Sequence, residues 1–274
     1  MKINNILRKP ITYERTFILI CLGSLYIYCN YTLERPILLT LSVIVMLVLI
    51  NVFSKDLVAD KKIYENKKSL ALFSIIYVFI AVVSILFNKI LHLNNYTINN
   101  INLIYVFILQ AVLISTIFLC YLFGIRLGYY NWNITLKQIG IIVLIYITNR
   151  LILNLITIDD KDFVIINLFK FSFVIKFIIS TFYHCFYPGF LEEVIYRGFL
   201  ITGLKGIGCN EWKCNVIQSL LFGILHVFAW GSSSWLFLLS TAYQCLLGFA
   251  LGKIYFKTKS LTPCIFLHGL LDAI

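Results

Sequence analysis

Pro188-Gly-Phe-Leu-Glu-Glu-Val-Ile-Tyr-Arg-Gly-Phe-Leu-Ile-Thr-Gly-Leu204 places two carboxylates and a guanidinium inside an otherwise apolar run. In a soluble protein such a trio would be a solvated helix face. Here Phe190, Leu191, Val194 and Ile195 flank the acids and leave them no polar side. An ionisable group within a membrane span costs at least about 2.5–3.5 kcal/mol, so a charged trio placed there implies a function.

The rest of the chain agrees that lipid is its solvent. Only 13% of the 274 residues are charged and 61% are hydrophobic, with a mean hydropathy of +0.91. Soluble domains carry about 25% charged residues. Apolar runs occupy 16–33, 36–53, 69–91, 102–125 and 139–157. A long stretch at 163–204 follows, broken at Pro188-Gly189, and then 214–230, 236–256 and 261–274. About 20 residues cross a bilayer, so the expected fold is all-α, a polytopic bundle of eight or nine transmembrane helices. Residues 1–160 are expected to supply spans without a motif, and residues 161–274 to form the helical core that carries the motifs. The first run lies behind Lys2, Arg8, Lys9 and Arg15, as in a signal peptide. More spans follow it at once with no small-residue cleavage site, so it is expected to be a retained helix.

The net charge of +11 does not point to nucleic acid, because the basic residues gather in short loops. Lys and Arg mark the N-terminal segment, 54–68, 126–138, 205–213 and the Lys253 to Lys259 end, whereas 34–35, 92–101, 158–162 and 231–235 are poor in them. That alternation places the N-terminus in the cytoplasm if 163–204 makes one crossing, with Lys170 and Lys176 holding its first half at an interface. Of the eight cysteines, Cys21, Cys29, Cys120, Cys245 and Cys264 lie in apolar runs and suggest no disulfide framework. Cys209 and Cys214 form a C-x4-C with no nearby His, a weak metal signal. His92 and His184 are read as incidental.

Beyond the loops, the ionisable residues singled out are Glu192, Glu193 and Arg197, then His226, then His268 and Asp272. At about 1.5 Å per helical residue, Glu192, His226 and His268 rise about 19, 18 and 12 Å from the basic ends of their segments, a similar level in a core about 30 Å thick. Glu193 and Arg197 are four apart and can pair, which turns Glu192 about 100° away with its carboxylate free. Phe222 and His226 share a face, as do His268 and Asp272. A carboxylate and an imidazole with a water between them make a general-base pair, and a second imidazole can stabilise an oxyanion. Glu192, His226, His268 and Asp272 would equally make a ligand set for a divalent metal such as zinc.

The order Glu192-Glu193-x-x-x-Arg197, Phe222-x-x-x-His226, His268-x-x-x-Asp272 resembles the CPBP family of CAAX-processing and bacteriocin-processing intramembrane proteases, also called the Abi family. The run from Thr258 to His268 is similar to that family's approach to its last motif. The resemblance covers roughly 188–272 and implies peptide-bond hydrolysis in the membrane, of a peptide or membrane-protein substrate. It implies that Glu192 with His226 activates the water, that His268 with its i+4 partner holds the oxyanion, and that Glu193 and Arg197 shape the site. Asp272 stands where many members carry Asn. An ionised carboxylate cannot donate to an oxyanion, so Asp272 either is protonated, orients His268, or ligates a metal. The alternative functions are a non-catalytic bacteriocin-immunity or scaffold protein and, more remotely, a transporter. The compact Ile/Asn/Lys-rich chain suggests a bacterial cell membrane.

Overall fold

The computed structural model describes residues 13–32, 36–94, 98–154, 170–230 and 235–273, and every regular element among them is helical. Helices α1 (Tyr13–Thr32), α2 (Pro36–Val52), α3 (Lys68–Asn94), α4 (Ile98–Phe123) and α5 (Leu136–Asn154) form the first part. Then come α6 (Phe171–His184) and α7 (191–206), which meet at a break. Helices α8 (Glu211–Trp230), α9 (Trp235–Thr258) and α10 (Thr262–Asp272) complete the chain. The elements fall on the apolar runs to within a few residues, because each backbone group in lipid must be satisfied inside its own helix. The 34–35 and 158–162 loops, residues 163–169, 231–234 and the side chain of His92 lie outside the described residues.

Among the described residues, three helices are long and apolar enough to cross a membrane: Lys68–Leu86, Leu136–Leu153 and Phe171–Gly206. Thr40–Lys55 and Gln110–Phe123 are shorter apolar helices. The outer surface is apolar, with Val48, Val78, Ile114, Phe118, Ile178 and Phe182 all exposed. The interior holds Gln218, Glu193 and Arg197 at 0% exposure. Apolar outside and polar within is the pattern of an integral membrane protein.

The basic loops meet at one end of the bundle. Ala59 N donates to Lys257 O (3.1 Å), Leu261 N to Asn131 O (2.9 Å) and Gln138 Nε2 to Leu57 O (3.2 Å). Lys137 pairs with Asp56, Lys205 with Glu65, and Lys259 with Glu211. The loops assigned to one side by their charge are thus neighbours in space.

The break between α6 and α7 positions the functional region. Tyr187 leaves helical geometry (φ −151°, ψ 119°), and Pro188, which has no amide proton to donate, follows it. α6 is a peripheral helix with Thr181 its one buried residue, whereas 193–204 are buried throughout. Two glycines let α10 lie against this break. A Cβ on Gly189 would stand 2.7 Å from His184 O and 3.4 Å from Ile265 O. One on Gly269 would run into Cys185, 2.8 Å from its backbone N. A side chain at Gly269 would force α10 off the break, and one at Gly189 would collide with the last carbonyl of α6.

Candidate active site

Glu192 and Glu193 open α7, and the wide π-helical turns of Val194–Leu200 follow directly. Such turns replace the regular i→i+4 bonds and recur at functional sites. Glu193 and Arg197 still meet, as the spacing predicts: Arg197 Nη1 donates to Glu193 Oε1 at 2.9 Å, both side chains 0% exposed. A second Arg197 donor, Nη2, reaches Gly248 O at 2.8 Å, where Gln218 Nε2 also donates at 2.8 Å. Gln218 Nε2 lies 2.8 Å from Asn215 Oδ1 and 3.0 Å from Ser219 Oγ. The buried ion pair is therefore seated in a polar chain running through α8 and α9, which lowers its desolvation penalty.

His268 projects from α10 onto this pair. Its Nδ1 lies 2.8 Å from Glu193 Oε1. A carboxylate held by a guanidinium is acceptor only, so Nδ1 is the protonated donor and Nε2 is the nitrogen turned towards the rest of the site. Nε2 stands 3.3 Å from Asp272 Oδ2 and 3.8 Å from Glu192 Oε2. The sequence reading paired Glu193 with Arg197 alone, whereas here one carboxylate oxygen holds both Arg197 and His268. Glu192 does point away from that pair, with 25% of its side chain exposed. Its Oε2 is buried with no hydrogen-bond donor among the described residues.

His226 enters from α8. Its Nδ1 lies 2.8 Å from Phe222 O, one turn back, and since a carbonyl only accepts, Nδ1 carries the proton and a neutral ring keeps its lone pair on Nε2. Phe222 packs between the histidines, with ring centroids 4.8 Å from His226 and 6.1 Å from His268, and the Arg197 guanidinium lies 5.1 Å over its face. The Tyr77 and Tyr196 hydroxyls reach Leu221 O at 3.0 and 3.5 Å and fix this turn of α8 against α3 and α7. Asp272 lies within electrostatic reach of His268, His184 and His226. All six residues singled out from the sequence thus lie in one region.

Among the described residues, no three His, Cys, Asp or Glu side chains are gathered so as to hold a metal ion. The arrangement of His268 accounts for this in part: one nitrogen is committed to Glu193 and the other faces two carboxylates that stand on different helices. As placed, the side chains do not form a zinc ligand set, so the chemistry below is derived from the side chains themselves. Cys209 and Cys214 are free thiols, Cys214 Sγ lying 3.7 Å from Cys209 O.

Two groups near the site escaped the sequence reading. Arg150, well inside the 139–157 run, donates through Nη2 to Leu271 O. A guanidinium in a span was a readable signal, but it stands outside the 188–272 stretch that carries the motifs. His184, read as incidental, has Nδ1 2.8 Å from Ser180 O and lies within electrostatic reach of Asp272.

Residues 174–274 match the model of the Rce1-like family, described as type II CAAX prenyl endopeptidase Rce1-like. The match includes all three motifs and agrees with the resemblance read from them. No curated protein and no solved structure is significantly similar to the chain.

Proposed function

We propose that the protein is an intramembrane endopeptidase that cleaves a peptide or membrane-protein substrate with a water activated by Glu192 and His226. The observation that supports this most is the bracketing of His268, whose Nδ1 is tied to the Arg197-paired Glu193 while Nε2 faces Glu192 and Asp272. The similarity of 174–274 to CAAX prenyl endopeptidases makes a prenylated peptide with a free C-terminus the first substrate to test.

Glu192 takes a proton from the water, which His226 Nε2 orients, and the resulting hydroxide attacks the scissile carbonyl carbon. Negative charge then develops on the carbonyl oxygen, and His268, as an imidazolium with Nδ1–H on Glu193, turns its one Nε2–H from Asp272 towards it. Glu193 fixes the orientation of that ring. Collapse of the tetrahedral intermediate breaks the C–N bond, and the proton held by Glu192 passes to the leaving amine. Asp272, an acceptor only when ionised, orients His268 in this scheme.

Glu192→Gln decides between an enzyme and a peptide-binding immunity or scaffold protein. Cleavage of the prenylated peptide should fall by at least about 10³-fold, since an amide cannot take the proton, with membrane abundance unchanged. Full activity in that variant would end the hydrolytic reading. The water-only scheme further predicts less than one metal ion per several molecules of purified protein and activity resistant to chelators. Stoichiometric zinc with chelator-sensitive cleavage would replace it with a metal-assisted one.

Eight or nine crossings and a cytoplasmic N-terminus complete the proposal, supported by the basic loops that meet at one end. Composition supports a bacterial cell membrane.

A further inference from the structure

Arg150 is a charged residue in α5 that the proposed chemistry does not use. Its guanidinium lies 5.5 Å from the Tyr146 ring centroid, and its Nη2 donates to Leu271 O at the end of α10. Its Nε is buried and has no hydrogen-bond partner among the described residues. The Tyr243 phenol on α9 lies within electrostatic reach of both Arg150 and Asp272.

The end of α10 is an unfavourable place for a carboxylate. Unsatisfied carbonyls give a helix C-terminus a partial negative charge, which repels an acid and attracts a cation. Asp272 is the last residue of α10, with 38% of its side chain exposed and Glu192 across His268 from it. Positive and donor groups from the neighbouring helices gather round this end. Arg150 of α5 takes Leu271 O, and Ser180 Oγ of α6 donates to Ala273 O at 2.9 Å. His268 Nε2 lies 3.3 Å from Asp272 Oδ2, and His184 and His226 are within electrostatic reach of that carboxylate.

We infer that Arg150 is a positioning residue for the proposed site: by taking Leu271 O it offsets the negative end of α10 on which Asp272 sits, so that a carboxylate there can orient His268. This rests on the endopeptidase reading, and it ties a residue of the N-terminal helices to the C-terminal motifs. Arg150 touches no reacting atom and acts through Asp272 and the end of α10. Its effect is therefore conditional on a negative charge at position 272.

The test is a double-mutant cycle on the full-length protein in proteoliposomes, with a farnesylated, internally quenched peptide as the probe. Arg150→Gln should lower kcat by about 10-fold or more and leave KM within about 3-fold. In the D272N background the same change should cost less than about 3-fold, because no charge remains to balance. Arg150→Lys, which keeps the charge, should recover most of the lost activity. Equal losses in both backgrounds, or no recovery with Lys, would overturn the inference and leave Arg150 a simple helix cap. Unfolding midpoints of the same four proteins in detergent read the coupling without catalysis. If the wild type leaves the probe uncut, the peptidase reading falls while the midpoints still decide: non-additive shifts uphold the coupling and additive shifts end it.

Discussion

At the scale of single residues, Glu193 is the most constrained group in the site. One of its oxygens serves both Arg197 and His268, and its side chain is 0% exposed. Removing one partner of a buried ion pair leaves the other charge uncompensated, which costs about 3–5 kcal/mol. Glu193→Gln should therefore lower the unfolding midpoint in detergent as well as abolish cleavage. Glu192→Gln, a change at a 25% exposed carboxylate outside that pair, should abolish cleavage with the midpoint nearly unchanged. Comparing midpoints of the two variants checks this division, and similar destabilisation by both would contradict it. The pairing of Glu193 with Arg197 was legible from a four-residue spacing, because neighbours on a helix face are set by local geometry. The bond from His268 to Glu193 was not, because it spans 75 residues and depends on how α10 docks.

At the scale of elements, the crossing of α10 over the α6–α7 break determines where His268 sits. Gly189 and Gly269 are the points of closest approach, and Gly269 stands next to His268 in sequence. Gly269→Ala would push α10 away from Cys185 and carry the imidazole off Glu193. Overpacking of this kind costs about 1–3 kcal/mol and displaces catalytic groups by fractions of an ångström. The expected outcome is a loss of cleavage of about 10-fold or more in a protein that still assembles in the membrane, measured on equal amounts of purified protein. Unimpaired cleavage would mean that the crossing tolerates a wider gap. Pro188-Gly189 was readable as a break, since proline lacks the amide that continues a helix. That the break forms the seat of another helix required the packed structure.

At the scale of the whole molecule, charge and packing divide the bundle into a basic end and an apolar body that encloses the candidate site. Loops 54–68, 126–138 and 205–213 contact one another or the end of α9, so they must share one compartment. Single cysteines introduced at Lys61, Arg126 and Lys213, in a background without reactive native thiols, should react with a membrane-impermeant maleimide from the same side only. Labelling of the three from opposite sides in intact cells and inverted vesicles would refute the shared end. Polar groups inside and apolar groups outside also explain why composition revealed the membrane so readily. Lipid imposes one requirement on every exposed position, so the signal adds along the whole chain.

What the sequence determined by itself is whatever repeats along the chain or closes within one helical turn. It specified an all-helical chain built for lipid, the breaks between its spans, and the pairings of Glu193 with Arg197 and of His268 with Asp272. The tertiary structure decided which helices meet. It put His268 on the same oxygen as Arg197, brought His184 within reach of Asp272, and carried Arg150 to the end of α10. Those contacts join segments separated by dozens of residues or more, and they are fixed by close approach at a few glycines and by the need to satisfy buried charge. Neither leaves a periodic trace in the sequence.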